Sequence, residues 1–124
     1  MARERQNLNK YRQSLAAIAH KIRKKNAQPI CITQAFSYYR KRGESINGNL
    51  ELFFKLNAYN QTLMDYCRKE RLSCIDLGNG IEFQPFDHWD KEHTTHQGSK
   101  RIANFLCKRM LEDKIVGPDT FTAR

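Results

Sequence analysis

A chain of 124 residues is the size of one ordinary domain and leaves no room for two separately cored ones. Its 40% apolar and 28% charged residues belong to a folding sequence, and its longest apolar stretches, such as Leu15 to Ala19, fall far short of the ~20 residues that cross a bilayer, so no membrane span is expected. Twenty-two Lys and Arg against 13 Asp and Glu give a net charge of +9, which raises nucleic acid or another anionic surface as a partner until the cations are placed.

From Leu8 the apolar positions Leu8, Tyr11, Leu15, Ile18, Ala19 and Ile22 keep steps of three and four, predicting an amphipathic helix of about five turns with Lys and Arg on its other face. The residues from Met1 to Ala19 are studded with Arg, Lys, Asn and Gln and do not read as a secretory signal. Asn26, Gln28 and Pro29 stop the helix. Ile30 to Phe36 reads as a short buried strand, with Pro29 placed where no ladder bond is lost. Ser37 to Asn49 is polar, shows neither period and is expected to be a functional loop. The helical period resumes from Leu50 to Arg71, with Phe53, Phe54, Leu63, Met64 and Cys67 inward beside two polar members, Asn57 and Asn60. Ser73 to Leu77 is a second strand, closed by Gly78-Asn79-Gly80. Ile81 to Thr95 is irregular, and Thr95 then caps a last helix whose stripe is Ile102, Ala103, Phe105, Leu106 and Met110.

Helix, strand, helix, strand, helix is the alternation of a right-handed β-α-β crossover, which makes the fold class α/β with a parallel sheet. Two strands are few for a sheet of this type, which normally has about four to six and is buried on both faces. The expectation is therefore a single partial domain over residues 1–124, the C-terminal part of a larger one. A missing N-terminal half or a partner chain then completes the sheet. Cys31, Cys67, Cys74 and Cys107 contain no C-x-x-C pair and read as buried thiols, with a disulfide as the alternative and structural zinc disfavoured.

Chemistry-bearing residues are densest in Phe86 to Gly98, FDHWDKEHTTHQG, between the second strand and the last helix. In α/β sheets ligands bind beyond the carboxyl ends of the strands, and this loop leaves such an end. Asp90-x-x-His93, with Gly98 five residues later opening a helix, resembles the last conserved block of the SGNH/GDSL hydrolases, a family of serine esterases and lipases. The residues YRQSLAAIAHKIRKKNAQPICITQAF and LNAYNQTLMDYCRKERLSCIDL are similar to that family's preceding helix-strand units, the second including its Tyr59-Asn60 pair. The resemblance implies a three-layer αβα, flavodoxin-like domain. It also implies hydrolysis of a small-molecule, carbohydrate or lipid ester through an acyl-serine, with no metal or organic cofactor. His93 becomes the general base and Asp90 the residue that orients it.

The departures are specific. The family's G-D-S block is absent, and its nearest match, Gly43-Glu44-Ser45, follows YYRKR, a segment too charged for the buried strand that delivers a nucleophile. Asn7 lacks the setting of the family's oxyanion Asn. The chain alone is thus expected to be incomplete or inactive. Three alternatives stand beside the esterase reading. One is a metal site built from His88, His93 and His96 with Asp87 or Asp90. A second is a non-catalytic α/β binding domain that uses the same crevice. The third is nucleic-acid binding by clusters such as Lys21-Ile-Arg-Lys-Lys and Arg40-Lys-Arg, which read rather as solvated helix faces, so no nucleic acid is expected. Tyr38 and Tyr39 beside Arg40-Lys-Arg suggest a substrate lip, and Trp89 either lines the pocket or covers the core. His20, His88 and His96 read as surface residues. Nothing in these residues assigns a compartment.

Overall fold

A computed structural model describes residues 1–115. Helix α1 spans Ala2–Lys24, starting earlier than the apolar period because Arg3, Glu4, Arg5 and Gln6 are good helix formers with no Gly or Pro among them. It ends where Asn26 turns left-handed at φ 56, a conformation Asn tolerates, and Ala27 N–H bonds back to Ile22. Strand β1 is only Ile30–Ile32. The expected loop contains a hairpin, β2 (Tyr39–Arg42) and β3 (Ser45–Gly48), with Arg42 opposite Ser45 and Gly43 left-handed in the turn. This corrects the reading of Ser37 to Asn49. The period of two is present, with Tyr39 and Lys41 half-buried and Arg40 and Arg42 exposed, but long charged side chains carry it.

Helix α2 is Leu50–Lys69, opened by the Asn49 side chain accepting from Leu52 N–H at 3.0 Å. It leads through a tight turn at Arg71 (φ 54) to β4, Ser73–Ile75. One turn of helix, α3 (Leu77–Gly80), precedes the irregular segment and α4, His96–Glu112. Thr95 caps α4 as expected, its hydroxyl accepting from Gly98 N–H at 3.1 Å. Along α4 the predicted apolar stripe is mostly half-covered, and Ala103 is exposed.

β1 and β4 pair in parallel, Ile30 with Ser73, Cys31 with Cys74 and Ile32 with Ile75, so the predicted crossover through α2 is present. The architecture is mixed α/β with helices around a small, two-stranded parallel sheet. Its core gathers Ala19 of α1, Phe53, Leu63, Met64 and Cys67 of α2, Ile75 of β4, and Leu77 and Ile81. Tyr11 meets Tyr59 edge-on at 5.1 Å where α1 lies against α2. Asn60, buried, donates to Gln34 C=O at 2.7 Å and accepts Gln34 N–H at 3.0 Å, tying α2 to the chain leaving β1. Cys67 and Cys74 form a disulfide, which corrects the free-thiol expectation for this pair. The turn from α2 into β4 brings their Cα atoms to 6.1 Å, within bridging range, while Cys31 and Cys107 are free. No helix among the described residues is long and apolar enough to cross a membrane.

Candidate active site

The segment from Ile81 to Thr95 is held by one carboxylate. Asp87 is wholly buried, and its Oδ2 accepts Gln84 N–H at 2.7 Å and Arg101 Nε–H at 2.6 Å. Burial alone pushes this carboxyl up. The Gln84 N–H and the Arg101 guanidinium outweigh that and hold it below the usual value. The main chain of Asp87 also takes Thr95 N–H at 2.9 Å, and the Thr95 hydroxyl donates to Phe86 C=O at 2.7 Å. Gly98, buried in the first turns of α4, lies so close to the Asp87 carbonyl that a Cβ there would fall on it. The glycine after the D-x-x-H pair is therefore a packing requirement that lets α4 seat against Asp87.

Asp87 anchors the base of a tight loop whose tip carries the predicted pair. His88 bridges Thr94 antiparallel, and Trp89 N–H donates to His93 C=O at 2.9 Å. Between them Asp90 Oδ1 accepts the N–H groups of Glu92 and His93 at 2.8 and 2.7 Å, an Asx-type turn that aims the carboxylate back along the loop. The His93 ring closes the turn, its Nδ1 lying 2.8 Å from Asp90 Oδ2 and 3.0 Å from Oδ1. The loop is also tied sideways: Ser37 donates to Asp90 C=O, and the Tyr38 hydroxyl donates to Glu92 Oε1 at 2.7 Å.

Those two N–H groups, with the His93 ring, pull the Asp90 carboxyl down to about 2. The same carboxylate pushes the His93 imidazole above its ordinary value. A carboxylate only accepts hydrogen bonds, so Nδ1 carries the proton and the neutral ring presents a bare Nε2. Nε2 makes no hydrogen bond among the described residues, and the side chain is 76% exposed. The arrangement is an imidazole oriented by a carboxylate, with its second ring nitrogen open to solvent.

The other candidate residues are not brought to it. Ser45 sits at the hairpin turn and Asn7 on the exposed side of α1, neither bonded to His93. His88 is half-buried edge-on to Phe83 at 4.4 Å, which corrects its surface assignment, and burial pushes its imidazole down. His20 and His96 are exposed. Among the described residues no three His, Cys, Asp or Glu side chains converge as a metal cage requires, with Asp87 engaged by Arg101 and Asp90 by His93. Trp89 lines a cleft of about 660 Å³ between the loop and the hairpin, together with Tyr39 and the Arg40-Lys41-Arg42 run. Asp90 stands on its wall, while the His93 ring bonded to that carboxylate does not line the cleft. Sequence reasoning missed the Asp87–Arg101 pair, whose members lie 14 residues apart with no local pattern to join them.

No protein-family model, no curated protein and no solved structure matches this chain. The SGNH resemblance rests on Asp90, His93 and Gly98 and the neighbouring blocks.

Proposed function

We propose that the chain carries the acid–base half of an SGNH-type hydrolase that cleaves carboxylic esters through an acyl-serine. The observation that carries the reading is the contact of His93 Nδ1 with the twice-bonded Asp90 carboxylate, which leaves Nε2 free. In the first half-reaction Nε2 takes the serine hydroxyl proton as the oxygen attacks the ester carbonyl. The imidazolium, steadied by Asp90, returns that proton to the departing alcohol. Water then repeats the cycle on the acyl-serine. Because hydrolysis needs neutral His93, activity rises with pH through an apparent pKa above that of ordinary imidazole.

The nucleophile and oxyanion donors belong, in this reading, to polypeptide outside the described residues or to a partner chain. Removing one oxyanion donor alone typically costs roughly a hundredfold to a thousandfold. Further parallel strands beyond β1, making a three-layer αβα domain, fit the partial exposure of Ile30, Cys31 and Ile32 beside a single neighbour. A second reading, a binding domain using the same cleft without catalysis, is favoured by the lack of a serine bonded to His93 among the described residues.

The test is hydrolysis of a short-chain nitrophenyl ester by the full natural protein, with mass analysis after a fluorophosphonate probe. The esterase reading expects turnover, one serine adduct, and loss of both in His93→Ala. A folded protein giving neither turnover nor adduct would leave the binding-domain reading.

A further inference from the structure

We propose that the cleft beside the Asp90–His93 pair selects an anionic organic ligand, whose charge Arg40 and Arg42 of the β2–β3 hairpin hold while its apolar body lies on Trp89 and Phe86. Under the hydrolase reading, on which the word substrate rests, the substrate is an ester that bears a carboxylate or phosphate group.

Charge placement is the first support. Arg40, Lys41 and Arg42 stand consecutively on one wall of the cleft. Lys41 reaches the Asn79 side chain at 3.3 Å, but Arg40 and Arg42 make neither an ion pair nor a side-chain hydrogen bond among the described residues. Asp90 and Glu92 on the opposite wall keep their charges while bonded to His93 and the Tyr38 hydroxyl, but among the described residues neither forms an ion pair with Arg40 or Arg42. Arg40 and Arg42, two apart on one strand, share a face where their like charges repel, and an anion seated between them relieves that repulsion. Guanidinium groups suit such a ligand because their planar donors match carboxylate and phosphate oxygens.

Aromatic placement is the second. Phe86 is 84% exposed and Trp89 79%, a large apolar surface left open on a small domain. Phe86 also holds φ at 71, which non-glycine residues rarely adopt, and the Thr95 hydroxyl and the Asp87 anchor on either side keep it there. The fold thus maintains an unfavourable backbone to present this ring. A cleft of about 660 Å³ falls inside the range of roughly 300–1,000 Å³ that small organic ligands occupy.

Trp89 is the sole tryptophan, so its fluorescence, excited at the red edge where tyrosine does not absorb, reports on this cleft alone. The titrants are phenyl phosphate, phenylacetate and the neutral benzyl alcohol, added to the 124-residue chain. Saturable quenching by at least one anion is expected, roughly tenfold or more tighter than benzyl alcohol, from the charge-assisted contacts. This preference weakens with salt and is lost in Arg40→Gln/Arg42→Gln, which still binds benzyl alcohol and unfolds at the parent temperature. Comparing the two anions tells phosphate from carboxylate. Equal affinity for benzyl alcohol, retention of the preference in the double variant, absence of saturable quenching, or tighter binding of a mixed-sequence RNA than of either anion each overturns the proposal. Anion preference without turnover or serine adduct in the full protein defeats the hydrolase reading alone and leaves an anion-binding cleft. Turnover without anion preference defeats this inference alone.

Discussion

Replacing Asp87 by Ala tests whether one buried carboxylate holds the candidate site against α4. Asp87 has no exposed side-chain surface, while its partner Arg101 is 36% exposed. Deleting the carboxylate strands the Gln84 N–H, which loses a charged acceptor worth about 1.5–3 kcal/mol. Arg101 recovers water on its open side, so its share stays near the ~1 kcal/mol of a surface pair and well below the loss from a fully buried one. The expected total is about 3 kcal/mol, a large part of the roughly 5–15 kcal/mol that stabilises a domain of this size. Asp87→Asn keeps an acceptor for Gln84 N–H and gives up the charge, so its cost is about half. Urea unfolding followed by far-UV circular dichroism measures both, with the m-value unchanged. The two variants also differ from the parent in acid. Because the folded carboxyl lies below its ordinary value, its contribution is complete above the unfolded pKa of 3.8 and fades as pH falls through the lower folded value, a dependence both variants lack. An Asp87→Ala protein within about 0.5 kcal/mol of the parent, the range of ordinary surface changes, would refute the anchoring role.

Three further outcomes follow from packing and covalent links. Gly98→Ala pushes a methyl onto the backbone carbonyl of Asp87, which cannot rotate away, and should cost about 2–3 kcal/mol in thermal or urea unfolding; no loss would show that α4 moves freely. Asn60→Ala leaves both backbone groups of Gln34 without their partner and should lose about 2–3 kcal/mol, whereas an unchanged midpoint would mean water replaces the amide. Reducing the Cys67–Cys74 bridge should destabilise the parent by about 2.5 kcal/mol for so short a loop and leave Cys67→Ser unaffected by reductant; equal responses would contradict the bridge.

How much of this was visible in the sequence depends on how local each determinant is. α2 was legible nearly to its ends because its apolar residues repeat at helical spacing, while its Asn49 cap emerged only in the structure. The parallel pairing followed from order alone. The β2–β3 hairpin escaped because exposed Arg40 and Arg42 alternate with half-buried Tyr39 and Lys41, so cations at three of four positions disguised the strand period. The same hairpin changes the meaning of the +9 charge, since three of the cations line a cleft rather than a solvated helix face. The Asp90–His93 pair entered through its resemblance to a D-x-x-H block, and the bonds that shape it, from the Glu92 and His93 N–H groups to Asp90, span only two and three residues. Its support was not legible, since Asp87, Arg101 and Gly98 meet only when α4 folds back on the loop. The Cys67–Cys74 bridge likewise depends on how sharply the chain turns after α2.

The central claim is that Asp90 presents His93 as an oriented base, and a nitrogen-resolved NMR titration of the His93 ring measures this without requiring a nucleophile. The predicted result is a pKa above the ordinary 6.5, with the neutral ring protonated on Nδ1, and a return toward the ordinary value in Asp90→Asn. The ion pair should persist from the Asp90 pKa of about 2 up to that raised His93 value and disappear as pH rises beyond it. A His93 that titrates at or below 6.5, or whose neutral form carries its proton on Nε2, would contradict the account.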